Sequence, residues 1–183
     1  MQALTTNQYK ELIGALKSGV GSHRANPRVA AALITEANLG MRIGDVLHLR
    51  LADIICDGGR YRLNIIEEKT GKRRTFTVPA EILSFLRAYA DSMGLAPTDT
   101  LFPLTVRQVQ RHLRNVCEAL GYENISTHSF RKWYATDIYE QNGHDIILVQ
   151  KLLQHSSPET TRRYIGIAEE RVEKAIAGHV LLA

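Results

Sequence analysis

The sequence predicts a mainly α (α+β) fold, a helical domain interrupted by one small three-stranded antiparallel sheet. Three observations carry this reading. Apolar residues recur at helical spacing through most of the 183 residues. Between Ala52 and Pro79 the period changes to two. Cap residues and stop glycines punctuate the helical stretches.

Thr5 or Thr6 caps a first helix carrying Tyr9, Leu12, Ile13 and Leu16, which breaks at Gly19 and Gly21. A second helix starts near Pro27, runs through Val29, Ala32, Leu33 and Ile34, and stops at Gly40. Three short strands follow: Ile54-Ile55-Cys56, then Tyr61, Leu63 and Ile65, then Phe76 and Val78. They are joined at Asp57-Gly58-Gly59 and at Thr70-Gly71. A helix over Ala80–Met93 buries Ile82, Leu83, Phe85, Leu86 and Tyr89, and a loop follows from Gly94 to Pro103. Thr105 caps the next helix, which has Val106, Val109, Leu113 and Val116 on one side and Arg107, Arg111 and Arg114 on roughly the other. A helix from about His128 stops at Asn142-Gly143, another runs from Asp145 to His155, and a tail helix spans Ala168–Ala177.

Apolar content of 44% and charged content of 23% are ordinary for a soluble globular chain, and the length fits a single domain over residues 1–183. The longest strongly apolar run, Ile146 to Val149, cannot span a bilayer, and the N-terminus lacks a charged segment followed by an apolar core. The chain therefore reads as cytoplasmic, with no membrane partner. Lys and Arg number 23 against 19 acids, a net +4 that is compatible with nucleic acid without requiring it. Cys56 and Cys117 lie far apart in apolar patterns and are expected to be buried thiols. The histidines form no ligand cluster, so no metal is implied.

Chemistry concentrates in a few stretches. In Thr127-His128-Ser129-Phe130-Arg131, a helix starting near His128 puts His128 and Arg131 on one face, able to converge on one anion. Leu152-Leu153-Gln154-His155-Ser156-Ser157-Pro158 follows, and Tyr164 stands beyond the proline turn. Upstream, Leu39-Gly40-Met41-Arg42-Ile43-Gly44-Asp45 places Arg42 directly after a helix junction, with Asp45 three residues on and able to orient it. The turn Glu68-Lys69-Thr70-Gly71-Lys72-Arg73-Arg74 is densely basic. Taken singly, these have plain readings: a surface ion pair, a solvated hairpin tip, helix-end histidines, one tyrosine of seven.

Taken together they resemble the tyrosine recombinase (phage integrase) family. Its first arginine box reads Gly-x-Arg-x-x-Glu/Asp, its lysine sits at a turn in a Lys-x-Gly-Lys-like sequence, and a His-x-x-Arg box, a Leu-Leu-Gly-His-Ser-Ser-like stretch and a tyrosine follow. Arg42, Lys69, His128 with Arg131, His155 and Tyr164 match these in the same order. Lys72 is the weaker alternative to Lys69, and Gln154 stands where the family commonly has glycine.

The resemblance implies the family's catalytic fold and its reaction, cleavage and rejoining of double-stranded DNA through a 3′-phosphotyrosyl intermediate. Tyr164 would be the nucleophile and Arg42 and Arg131 the clamp on the non-bridging oxygens. Lys69 would be the general acid and His128 the proton acceptor, with His155 a hydrogen-bond donor to the phosphate and Asp45 a support. The intermediate conserves the bond energy, so no cofactor or metal is implied. Lys72, Arg73, Arg107, Arg111 and Arg114 would contact DNA, and self-association to a tetramer on DNA is expected. Type IB topoisomerase-like religation and non-catalytic DNA binding are the rival readings. The chain begins a few residues before the catalytic domain, which reads either as an excised fragment or as a short single-domain member without a core-binding domain.

Overall fold

The computed structural model describes residues 3–69, 71, 73–155 and 157–165, without the side chains of Arg74, Arg163 and Tyr164. Lys72 and the expected tail helix lie outside the described residues. The chain divides into two compact units, one ending at Tyr134 and one beginning at Ala135.

In the first unit, α1 (Thr6–Ser18) begins with a capping box. The Thr5 hydroxyl accepts from the Gln8 amide at 3.2 Å, and the Gln8 side chain accepts from the Thr5 amide at 2.9 Å. Helix α2 (Pro27–Leu39) starts with Asn26 accepting from the Val29 amide at 3.2 Å and with Pro27 at its first position. This helix is apolar on nearly every side, and Val29, Ala30, Ala32 and Leu33 are fully buried. A helix patterned that way sits inside a core rather than on its surface. Accordingly α2 packs against α1, α3 (Ile43–Leu47), α4 (Ala80–Met93) and α5 (Val106–Leu120).

A turn of 3-10 helix over Leu51–Asp53 leads into the sheet, with β1 (Ile54–Asp57), β2 (Arg60–Ile66) and β3 (Arg73–Thr77) antiparallel in that order. Asp57 pairs with Arg60 across Gly58 and Gly59, whose φ values of 57° and 75° suit a two-residue hairpin turn. The Ile66↔Arg73 pair bounds the second, basic turn. Leu63 of β2 is fully buried in the main core. By contrast β1 is an edge strand exposed beyond its first residue, and Cys56 lies exposed on it. The expectation of two buried thiols thus fails for Cys56, because alternation on an edge strand has no second layer to bury it. Cys117 is buried on α5, and burial together with nearby Glu118 pushes its thiol up to about 11.

Helix α5 opens with a second capping box, Thr105 with Gln108, and turns Val109, Leu113 and Val116 inward while Arg107, Arg111 and Arg114 are exposed. Helix α6 (Thr127–Gln141) begins in this unit, where the Tyr9 ring stacks on Trp133 at 4.6 Å and meets Phe130 edge-on at 6.1 Å. These ring contacts tie α1 to the start of α6.

In the second unit, α7 (Ile146–Leu153) is capped by Asp145, whose Oδ1 accepts from the Ile147 and Leu148 amides, each at 2.9 Å. Helix α8 (Pro158–Ile165) packs against α7. Gln154 ends α7 in the left-handed conformation, φ 53° and ψ 39°, and among the described residues its buried Oε1 has no hydrogen-bond partner. Among the described residues no helix is long and apolar enough to cross a membrane.

Candidate active site

Arg42 is the N-terminal cap of α3 and follows Gly40, whose left-handed φ of 56° ends α2. The junction turns the Arg42 side chain toward the end of β2, where its Nη1 meets the Glu67 carboxylate at 2.5 Å. Glu67 is fully buried while Arg42 keeps 21% of its side chain exposed. The carboxylate that meets Arg42 is therefore not the expected Asp45, three residues along the helix. Buried Asp45 instead accepts from the Glu68 amide at 2.9 Å and so holds the first residue of the basic turn. Lys69 is exposed in that turn, which closes through the Gly71 amide donating to the Glu67 carbonyl at 2.8 Å.

Arg131 comes from the first turns of α6 and is 2% exposed. Its Nη1 donates to the Gly40 carbonyl at 2.6 Å. Glycine is required at position 40 on two counts. Its backbone is left-handed, and a Cβ there would fall 2.4 Å from two carbons of the Tyr134 ring. One turn back on α2, Glu36 is completely buried, and among the described residues neither carboxyl oxygen meets hydrogen-bond geometry with a neighbour. Burial pushes its pKa well above the usual carboxylate range, and the Arg131 charge and the Ile43 amide oppose this only in part.

His128 lies one helical turn before Arg131 and is exposed at the surface. Its pKa is lowered, first by the covered part of its ring and then by the charges of Arg131, Lys69, Arg42 and Lys132. The charges of three residues far apart in sequence therefore act on one ring. Arg42, Lys69 and Arg131 arrive from a helix junction, a hairpin turn and a helix start, the first and the last 89 positions apart. Such a site can hold two anionic oxygens through paired guanidinium hydrogen bonds and keep a neutral imidazole beside them. A groove of about 420 Å³, lined by Asp45, His48, Arg50, Asn64, Ile66 and Glu68 among others, opens beside β2 and includes none of these four residues.

In the second unit, the His155 Nδ1 lies 3.1 Å from the hydroxyl of Thr161, itself fully buried, and the His155 amide donates to the Gln150 carbonyl at 3.1 Å. The Thr161 contact engages one of the two ring nitrogens. Tyr164 belongs to α8 by its backbone, and its side chain lies outside the described residues. Arg73 is exposed at the start of β3. Among the described residues no group of three or more His, Cys, Asp and Glu could hold a metal ion.

Two participants, Glu67 and Glu36, have no place among the residues the sequence singled out. For Glu67 a signal existed: it continues the alternation of Leu63 and Ile65, and a charge on the inward side of a strand demands a partner. For Glu36 the signal is fainter, a lone acid within the apolar run of α2.

The model of the Phage integrase family matches residues 2–171. The probable integrase/recombinase YoeC of Bacillus subtilis (strain 168) is 32% identical over 155 residues, 82% of this chain and 83% of YoeC. Tyrosine recombinase XerD of Rhizobium meliloti (strain 1021) is 30% identical over 178 residues, 91% of this chain and 56% of XerD, so the chain spans little more than half of that relative. Among solved structures, XerH site-specific recombinase in a post-cleavage complex with palindromic difH substrate shares the fold, with a TM-score of 0.71 and 24% identity over 96% of this chain and 52% of XerH. The ordered boxes, the charges acting on His128, the sequence match and the common fold agree, and the chain belongs to the phage integrase family.

Proposed function

We propose that this chain is a site-specific DNA recombinase that cleaves and rejoins strands through a 3′-phosphotyrosyl intermediate on Tyr164. The observation that carries the reading is that the charges of Arg42, Lys69 and Arg131, each held by a different element, all act on His128. Tyrosine attack on phosphorus forms the P–O(Tyr) bond and breaks the P–O5′ bond. Negative charge grows on the non-bridging oxygens, where two guanidiniums with fixed forks are most effective. Lys69 delivers the proton that the departing 5′-oxygen requires, and His128, its pKa lowered by partial burial and then by its cationic neighbours, accepts the proton of the tyrosine hydroxyl. His155 donates from Nε2 to the phosphate while Thr161 orients its ring. Asp45 serves Lys69 rather than Arg42, through the Glu68 amide.

Double-stranded DNA is the partner that fits an exposed row of arginines, Arg107, Arg111 and Arg114 on α5, together with Arg73 and Lys72 at the basic turn. Exchange between two duplexes needs four active subunits, so the working assembly is a tetramer on DNA, with residues 1–183 acting as the catalytic domain.

The test uses a randomised pool of nicked duplexes, whose short released strand diffuses away and traps any covalent complex. Wild type and Tyr164→Phe are incubated with the pool and resolved on a denaturing gel. The expected result is a protein–DNA adduct for wild type alone. Binding to DNA without any adduct from wild type would overturn the reading in favour of a non-catalytic DNA-binding protein.

A further inference from the structure

We infer that Glu67 is a positioning residue that sets the Arg42 guanidinium and the Lys69 turn in one fixed relation. Three contacts carry this. The Glu67 carboxylate, fully buried, takes Arg42 Nη1 at 2.5 Å. The Glu67 carbonyl accepts from the Gly71 amide at 2.8 Å and closes the turn that displays Lys69. The next residue, Glu68, is stitched by its amide to Asp45 of α3 at 2.9 Å. One residue thus holds the clamp by its side chain and the acid-bearing turn by its backbone, and its neighbour fastens the same turn to the helix that Arg42 begins.

A buried pair could be mere scaffolding, but its geometry argues for more. Arg42 remains partly exposed, and among the described residues no other group takes a hydrogen bond from it. Glu67 therefore uses one of the five guanidinium donors and fixes the plane in which the others meet an oxyanion. Lys69 has a flexible stem and is exposed, so its placement depends on the turn beneath it.

This inference rests on the proposed strand-transfer reading, and the experiment separates the two. A duplex selected from the trapped adducts is made in two forms, one with the normal bridging 5′-oxygen and one with 5′-sulfur at the scissile bond. Sulfur leaves as a thiolate and needs no proton, so it removes the requirement for a general acid while keeping the requirement for the arginine clamp. Single-turnover cleavage is compared for wild type, Lys69→Ala, Glu67→Gln and Glu67→Asp, at a temperature where circular dichroism reports each variant folded.

Lys69→Ala should lose about 100-fold or more on oxygen and little on sulfur. Glu67→Gln should lose about 100-fold on oxygen but only about 10-fold on sulfur, since the misplaced acid is bypassed and the misoriented clamp is not. Glu67→Asp, which withdraws the carboxylate by about 1.5 Å, should show the same split at smaller size and carries the test if the glutamine variant does not fold. Wild-type rates in Glu67→Gln, or equal losses on both substrates, would overturn the inference and leave the recombinase reading standing. An absent wild-type adduct would remove both.

Discussion

Arg131 donates to the carbonyl of Gly40, 91 positions earlier in the chain, so the helix start that carries one candidate arginine is pinned to the helix end that launches the other, Arg42. Gly40→Ala should break this arrangement. Left-handed backbone and a methyl group driven into the Tyr134 ring together cost about 2–4 kcal/mol. Chemical denaturation measures the loss, and a change below about 1 kcal/mol would mean that the ring moves aside freely.

Glu36 has a folded pKa above its ordinary value of 4.5. A raised pKa means that its contribution to stability is complete below that ordinary value and is lost as pH rises through the folded one. Glu36→Gln, which imitates the protonated acid, should therefore melt higher than wild type at pH 8, with the gap closing toward pH 4.5. A gap that does not depend on pH would exclude Glu36 as the titrating group.

His128 has its pKa lowered below 6.5, so the neutral imidazole survives into mildly acidic solution. The acid limb of the cleavage rate should lie below pH 6.5, and Lys132→Ala, which removes one of the charges acting on the ring, should move that limb upward. A limb centred above 6.5 would contradict the electrostatics of the site.

Binding to DNA should weaken steeply with salt. Replacing Arg107, Arg111 or Arg114 with alanine should lower the slope of log K against log salt by about 0.9 for each phosphate contact removed. Titration at several ionic strengths measures this, and an unchanged slope for all three would place DNA on another face.

Gln154 combines a left-handed backbone with a buried amide oxygen that has no partner among the described residues. Gln154→Gly should stabilise the chain by about 1 kcal/mol, the relief of backbone strain and of the stranded oxygen exceeding the added freedom of the unfolded glycine. A lower melting temperature would show that the Gln154 side chain packs favourably enough to offset both.

Helix boundaries were legible because their causes are local. Thr5, Asn26 with Pro27, Thr105 and Asp145 cap the starts, and Gly40, Gly94 and Gly121 end helices in the left-handed conformation. The hairpin at Gly58 and Gly59 was equally readable. Candidate site residues stood out in the sequence by their spacing, yet their partners did not. Arg42 meets Glu67 across 25 positions and Arg131 meets Gly40 across 91, separations at which neither helical nor strand period carries information. Asp45 was paired with Arg42 because i and i+3 share a face on a helix. Arg42, however, caps α3 rather than lying within it, and its side chain leaves that face.

The contrast between the two cysteines has a practical side. The Cys117 thiol is buried and, near pH 11, almost never a thiolate at neutral pH, whereas Cys56 stands open on an edge strand. A maleimide dye added to the native chain should couple at one position and leave the other untouched. Every subunit would then carry a single reporter on β1, and photobleaching steps counted on individual DNA molecules would give the number of subunits assembled there without altering the sequence.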